Sequence, residues 1–201
     1  MINKESKKII LLPPKTGTQS LVRSFANIIY KYKFSHGYTW HGNKLHGYLD
    51  ELIEHHKIND IENWKIYQTA RNPMNRVPSA FFAETILKGW DLPEKKQGFE
   101  DFVKNIHNHK NFKDPSITTG MRFYAPQVSW ADSSKYDVQY IKLEEDNSEI
   151  YADLGLPKEF ERSMFNSNPH HDPYYDDMHT EETKKIIKSL YKDDFLKLNY
   201  E

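Results

Sequence analysis

The sequence contains no cysteine, which excludes a disulfide framework and thiolate chemistry and is compatible with a reducing compartment. It also lacks an apolar run of the ~18 residues that a membrane-spanning helix needs. The charged stretch 1–8 has the character of neither a signal peptide nor an anchor. We therefore predict a soluble, cytoplasmic protein that does not associate with a membrane.

An excess of charge of one sign is missing too, because Lys and Arg total 28 and Asp and Glu total 29, for a net charge of −1. This balance gives no general electrostatic basis for binding nucleic acid or an anionic membrane. Any anion must therefore bind where cations are concentrated locally. The 201 residues are enough for a sizeable core, and we predict a single domain spanning 1–201.

The first chemical motif follows a predicted strand at Ile9–Leu12, a short apolar run typical of a buried strand in a parallel sheet. Two prolines end this strand, a short polar loop comes next, and a helical pattern covers 21–29. This order directs the free N–H groups and the positive end of the helix toward the loop. The loop therefore predicts a phosphate or sulfate site. Its candidate residues are Lys15, Thr16, Gly17, Thr18, Gln19 and Ser20. We expect the Lys15 ammonium to lie beside the anion and the hydroxyls of Thr16, Thr18 and Ser20 to donate to it.

Another interpretation of this loop stays open. It can be an ordinary strand-to-helix turn with a capping threonine and a solvated lysine. A Walker A loop is excluded, because Gly-x-x-x-x-Gly-Lys-[Ser/Thr] is absent and Lys15 precedes Gly17. This departure argues against an ordinary ATP or GTP site.

The second motif follows a strand predicted at Trp64–Ala70, which is rich in β-forming residues. Arg71 comes directly after it, at the carboxyl end where open α/β sheets bind ligands. Its planar guanidinium suits a phosphate, and the hydroxyl of Ser79, eight residues on, can bond to the same group. The alternative is an arginine paired with a surface carboxylate. Because Pro78 has no N–H, we expect the helix opened by Pro73 to start late or to kink.

Three histidines recur at intervals of five residues, at His36, His41 and His46. A metal site is disfavoured, because the spacing matches neither a strand nor one helix face and no acidic ligand accompanies them. An acid–base role for one of the three is the better hypothesis.

The remaining pattern alternates strands with helices, which predicts an α/β fold with a parallel sheet. Further strands are predicted at 38–40 and 136–143, helices at 48–56, 98–106, 144–154 and 180–196, and a loop at 107–120. Gly155 is a plausible stop for one helix, and Thr180 a cap for the last.

Taken together, the motifs resemble the sulfotransferases that use 3′-phosphoadenosine 5′-phosphosulfate (PAPS), most closely the carbohydrate-type branch with its small prokaryotic and viral members. Pro14–Leu21 is similar to the family's loop for the 5′-phosphosulfate, and Arg71–Ser79 to its 3′-phosphate motif. Weaker similarities occur in the family's order, at 126–127, 140–145, 154–156 and 190–200. The resemblance implies a P-loop-like three-layer α/β fold whose central, mainly parallel sheet is flanked by helices.

The resemblance also implies an activity, the transfer of a sulfuryl group from PAPS to a hydroxyl of a small-molecule or glycan acceptor. The product is adenosine 3′,5′-bisphosphate (PAP), and no metal is required. Lys15 then stabilises or protonates the departing oxygen, and the N–H groups of 16–19 with the Thr18 hydroxyl bind the 5′ end. Arg71 and Ser79 bind the 3′-phosphate.

A base for the acceptor hydroxyl is implied as well. His46 is the first candidate for this base and His41 the second. Two other functions remain open: a degenerate P-loop kinase or NTPase, and a non-catalytic nucleotide-binding module of the same fold.

Overall fold

The computed structural model describes residues 1–17, 48–84, 92–108, 124–155 and 176–201. The contacts of the chain divide it into two compact units. The first comprises Met1–Ala70 and Gln127–Asn166, and the second Arg71–Pro126 and Ser167–Glu201. The helix predicted over 21–29, the strand predicted at 38–40 and most of the predicted loop 107–120 lie outside the described residues.

A four-stranded sheet of order β1-β2-β3-β4 belongs to the first unit. Its strands are β1 (Ile2–Asn3), β2 (Lys8–Leu11), β3 (Lys65–Ala70) and β4 (Val138–Lys142). β1 pairs with β2 antiparallel, whereas β2 with β3 and β3 with β4 pair parallel. The predicted α/β fold with a mainly parallel sheet is confirmed.

The helices are numbered in chain order. They are α1 (Leu49–His56), α2 (Pro73–Glu84), α3 (Leu92–Asn108), α4 (Ser148–Asp153), α5 (Glu181–Leu190) and α6 (Lys192–Lys197), with 3-10 turns at Ile61–Asn63, Gln127–Ser129 and Asp176–Met178. Within the described ranges, none of these helices combines the length and apolarity needed to cross a bilayer.

The parallel register brings the carboxyl ends of the inner strands to one edge of the sheet. Leu11 of β2 pairs with Gln68, and Ala70 of β3 pairs with Lys142 of β4. From Ile66 to Ala70 β3 is buried throughout, as expected for a strand covered on both faces. The segments that come after β2 and β3 in sequence therefore start from the same edge.

The first unit buries the apolar side of α1 against the sheet. Leu49 and Leu52 pack in one cluster with Ile9, Leu11 and Ile66. Burial of such side chains contributes about 1.5–3 kcal/mol each. α1 thus holds β2 and β3 in place from one side.

At the opposite, amino-terminal edge of the sheet, Asp153 at the end of α4 links β2 to β3. Its carboxylate accepts hydrogen bonds from Lys65, at 2.6 Å, and from the hydroxyl of Tyr67, and its main-chain oxygen accepts one from Lys8. Burial acts to raise the pKa of Asp153, but the bonds from Lys65 and Tyr67 outweigh it and the pKa is lowered. The cluster ties α4 to the strands.

The second unit is helical in its described part, with α2, α3 and α5 sharing one core. Val77 and Phe81 of α2 meet Phe99 and Val103 of α3 and Ile187 of α5 in a buried cluster. The ring centres of Phe81 and Phe99 lie 5.5 Å apart in an edge-to-face arrangement, the geometry that aromatic pairs prefer.

Four elements differ from the sequence prediction. The helix predicted at 98–106 is longer, because α3 already begins at Leu92, with Pro93 in its first turn. β1 was not predicted, because a pair of residues is too short to carry a strand pattern. The helix predicted from 144 begins only at Ser148, since the Asn147 side chain bonds to Lys142 O and Glu145 O and holds a turn there. The last helix is interrupted at Tyr191, whose backbone leaves helical geometry with φ −108° and ψ 26°.

Candidate anion-binding loop and the arginine motif

The loop 13–17 starts at the carboxyl edge of the sheet, immediately after β2 and Leu12. Pro13 and Pro14 are both buried, so the loop is packed against the protein rather than extended into solvent. Lys15 is half-buried. The structure places Lys15 in the loop that follows the carboxyl end of β2, as the sequence predicted.

The Thr16 hydroxyl fastens this loop to β3. Thr16 is 1% exposed, and its Oγ1 lies 2.6 Å from Pro13 O and 2.6 Å from Thr69 Oγ1. Because a carbonyl only accepts, Thr16 donates its single hydroxyl hydrogen to Pro13 O and accepts that of Thr69. We expected this hydroxyl to donate to an anion, but its hydrogen is used within the protein. The Thr16 backbone N–H stays a candidate.

Gly17 is held where a side chain has no room. Its φ is +77°, in the region that glycine enters without strain, and a Cβ built on it would lie 2.6 Å from Leu143 Cδ1. Leu143 follows β4 directly and its N–H donates to Ala70 O at 2.8 Å. The loop therefore lies close to the ends of both β3 and β4.

Two residues of this loop have a positive φ. Lys15 has φ +64° and Gly17 φ +77°, while Thr16 between them is not among the residues with positive φ. Turns of the backbone can collect successive N–H groups on one side, and such concavities bind anions. A lysine with positive φ reduces the stability of the folded state by about 1–3 kcal/mol, and backbone strain of this kind is often found in functional loops.

Replacing Gly17 with alanine is expected to lower the free energy of unfolding by about 1–3 kcal/mol, because the new Cβ meets Leu143 and the positive φ becomes strained. Binding of PAP, the product that the sequence resemblance implies, should weaken at the same time, as measured by calorimetry. Gly155→Ala is the matched control, since Gly155 also has positive φ (84°) but ends α4 on the exposed surface. A Gly17→Ala variant that loses no more PAP affinity than Gly155→Ala would contradict the importance of this close approach.

The arginine motif begins the second unit, and its first residue, Arg71, directly follows β3. Asn72 then caps α2: its side-chain Oδ1 accepts from the Met74 N–H at 2.9 Å, and its main-chain oxygen accepts from Arg76 N–H at 2.8 Å. Pro73 takes the first helical position, where its missing N–H costs nothing. The Asn-Pro pair thus fixes where the helix starts after Arg71.

α2 runs without interruption from Pro73 to Glu84, with Pro78 inside it. Of the two alternatives expected from Pro78, a late start or a kink, the late start is wrong, because Asn72 and Pro73 set the start of the helix well before Pro78. Ser79 lies in the second turn and is half-buried. Arg71 is half-buried as well.

Arg76, the second arginine of the motif, has a structural position. It is 2% exposed, its Nη1 donates to Ala125 O at 2.9 Å, and its guanidinium carbon lies 5.8 Å from the centre of the Tyr191 ring. The Tyr191 hydroxyl in turn donates to Tyr124 O at 2.8 Å. Arg76 therefore anchors α2 within the second unit.

Several predicted site residues lie outside the described residues: Thr18, Gln19, Ser20, His41 and His46. Sequence reasoning missed three residues that support the site, namely Thr69, Asn72 and Leu143. Asn72 carried a usable signal, since Asn before Pro is a common helix start. Across the part of the chain that the structure describes, no three His, Asp or Glu side chains gather as a metal site requires.

A comparison of the sequence with models of known protein families gives a match over the full length of the chain. The family model described as the sulfotransferase family matches residues 1–201, the whole chain. The protein therefore belongs to the sulfotransferase family, and it is a transferase of sulfuryl groups by class. Searches of curated proteins and of solved structures found no significant match.

Proposed function

We propose that the protein transfers a sulfuryl group from PAPS to a hydroxyl of an acceptor, a saccharide or a similar small molecule, and releases PAP. The observation that carries this proposal is the loop 13–17, which bonds to Thr69 and lies against Leu143 at the ends of β3 and β4, with positive φ at Lys15 and Gly17. Membership of the sulfotransferase family supports the reaction class.

In the proposed reaction, the acceptor oxygen attacks sulfur in line as the bond from sulfur to the bridging phosphate oxygen breaks. The sulfuryl group ends as a sulfate ester, the acceptor proton passes to a base, and negative charge collects on the bridging oxygen of PAP. Lys15 stabilises or protonates that oxygen, while backbone N–H groups of 16–19 and the Thr18 hydroxyl hold the 5′-phosphate. Alignment and charge stabilisation then provide most of the rate, as in phosphoryl transfer.

The second part of the proposal concerns the 3′-phosphate, which distinguishes PAPS from ATP. The guanidinium of Arg71 offers a two-pronged fork for a phosphate, and Ser79 adds a hydroxyl. The described structure supports this role through the cap at Asn72, which sets α2 directly behind Arg71.

For the base we propose His46 first and His41 second, because an imidazole that titrates near neutral pH suits proton removal from a hydroxyl. We propose no metal cofactor, since Lys15 and Arg71 supply positive charge to the two phosphate positions. A cytoplasmic location is part of the same proposal.

Thermal unfolding with nucleotides tests the donor. PAP at about 100 times its dissociation constant should stabilise the folded protein by about 2.7 kcal/mol, because it binds only the folded state. For a chain of this size that is a rise in Tm of roughly 5–10 °C. The rise in Tm with PAP should not require Mg²⁺, and ATP should raise the Tm only slightly.

Two results, one from thermal unfolding and one from a sulfate transfer assay, would favour the other functions. Stronger stabilisation by ATP with Mg²⁺ than by PAP would contradict the proposal and favour a kinase or NTPase. Binding of PAP without transfer of labelled sulfate to any member of a broad glycan and phenol panel would favour a non-catalytic nucleotide-binding module.

A further inference from the structure

His179 provides a hydrogen-bond donor at the point where α2 lacks one. In an α-helix the N–H of each residue bonds to the carbonyl four residues earlier, so the proline at position 78 leaves the Met74 carbonyl without its helical donor. His179 Nε2 lies 2.9 Å from Met74 O. Because a carbonyl only accepts, Nε2 carries the hydrogen and donates it.

The side chain of His179 is held in place by its surroundings in the second unit. Its ring meets that of Phe99 edge to face, with centres 5.4 Å apart. On one side in sequence is the 3-10 turn ending at Met178, which is fully buried; on the other is Thr180, the N-cap of α5. The donor is therefore presented to Met74 by a packed element and not by a loose surface side chain.

The hydrogen bond from His179 to Met74 O lies between the first two turns of α2. The first turn of α2 follows Arg71 and its cap, and the second turn carries Ser79, directly after Pro78. A helix that loses this bond bends most easily between these two turns. The position of Arg71 relative to Ser79 then depends on what restrains the Met74 carbonyl.

We propose that His179 is a positioning residue for the 3′-phosphate site, acting through Met74 to hold the two turns of α2 in line. This inference rests on the proposed function, in which Arg71 and Ser79 bind the 3′-phosphate of PAPS. His179 itself does not contact the donor in this proposal. Its contribution is a substitute for the hydrogen bond that Pro78 cannot make.

The test compares PAP with adenosine 5′-monophosphate, which lacks the 3′-phosphate, by calorimetric titration of the full chain. H179A should reduce the preference for PAP over the monophosphate roughly 5- to 10-fold, the loss expected when one aligned hydrogen bond is removed. A general loss of folding would instead reduce the binding of PAP and of the monophosphate to the same extent. The selective loss is therefore what identifies a positioning role.

Two conservative variants sharpen the comparison. H179Q places an amide N–H₂ near the position of Nε2 and should restore the preference to within about 2-fold of wild type. H179N places its amide near the position of the other ring nitrogen and should behave like H179A. Equal behaviour of the two amide variants would overturn the proposal.

Pro78→Ala provides an independent check, because it returns the N–H that bonds to Met74 O. In the P78A background, H179A should change the PAP preference by less than about 2-fold, since the carbonyl has its helical donor again. An undiminished effect of H179A in that background would overturn the role of Met74.

If wild-type protein shows no preference for PAP at all, the proposed 3′-phosphate site fails, and the positioning role fails with it. A wild-type preference that H179A leaves unchanged would overturn only the role of His179.

Discussion

Lys15→Ala is expected to lower the turnover of sulfuryl transfer about 100- to 1,000-fold, the cost of removing one preorganised charge from a developing anion. Affinity for PAP should fall much less, because the charge acts mainly as the bridging bond breaks. The measurement is labelled sulfate passed from PAPS to an acceptor, with PAP affinity taken from calorimetry. Alanine also has a Cβ, so the strain at φ +64° is unchanged.

Lys57→Ala is the matched control for this variant. Lys57 is also a lysine with positive φ (54°), but it ends α1 on the exposed surface. It should leave turnover and PAP affinity unchanged. Equal losses of turnover and PAP affinity in Lys15→Ala would show that Lys15 binds the donor without assisting bond breaking.

Arg71→Ala is expected to weaken PAP binding about 10- to 100-fold, since hydrogen bonds to a charged group contribute about 1.5–3 kcal/mol. Binding of adenosine 5′-monophosphate should change little, because that ligand has no 3′-phosphate for the guanidinium to meet. Both affinities are measured by calorimetry on the same preparations.

Arg71→Lys separates charge from shape at this position. It keeps the positive charge and loses the planar fork, so PAP affinity should lie between those of wild type and Arg71→Ala. The role of Arg71 is refuted if wild-type protein binds PAP and the monophosphate equally well.

Much of the sheet could be predicted from sequence, because β2 is mostly apolar, β3 is rich in β-forming residues, and the runs are followed by Pro13 and by the Asn72-Pro73 pair. A strand that is buried on both faces of a sheet is typically a nearly continuous hydrophobic run, which is easy to see in a sequence. β1 could not be predicted, since Ile2–Asn3 forms a strand only through its pairing with β2. The break at Tyr191 could not be predicted either, because neither proline nor glycine marks it in the sequence.

For the candidate site, the sequence indicated Lys15, Gly17 and Arg71 through their order after two strands. It also suggested the Thr16 hydroxyl as an anion donor, whereas the structure has that hydroxyl donating to Pro13 O and accepting from Thr69, far along the chain. No local pattern shows that residues 53 positions apart will meet. The late start that Pro78 suggested does not occur, because Asn72 and Pro73 set the start of α2; the donor for Met74 O comes from His179, 105 positions away, which no local pattern indicates.

The most direct test of this account is a crystal structure of the protein with PAP bound. We predict that the 5′-phosphate accepts hydrogen bonds from backbone N–H groups that follow Lys15, and that the 3′-phosphate contacts Arg71 and Ser79. A bisphosphate bound elsewhere, or one whose 3′-phosphate faces solvent away from Arg71, would contradict the assignment of both motifs to one donor.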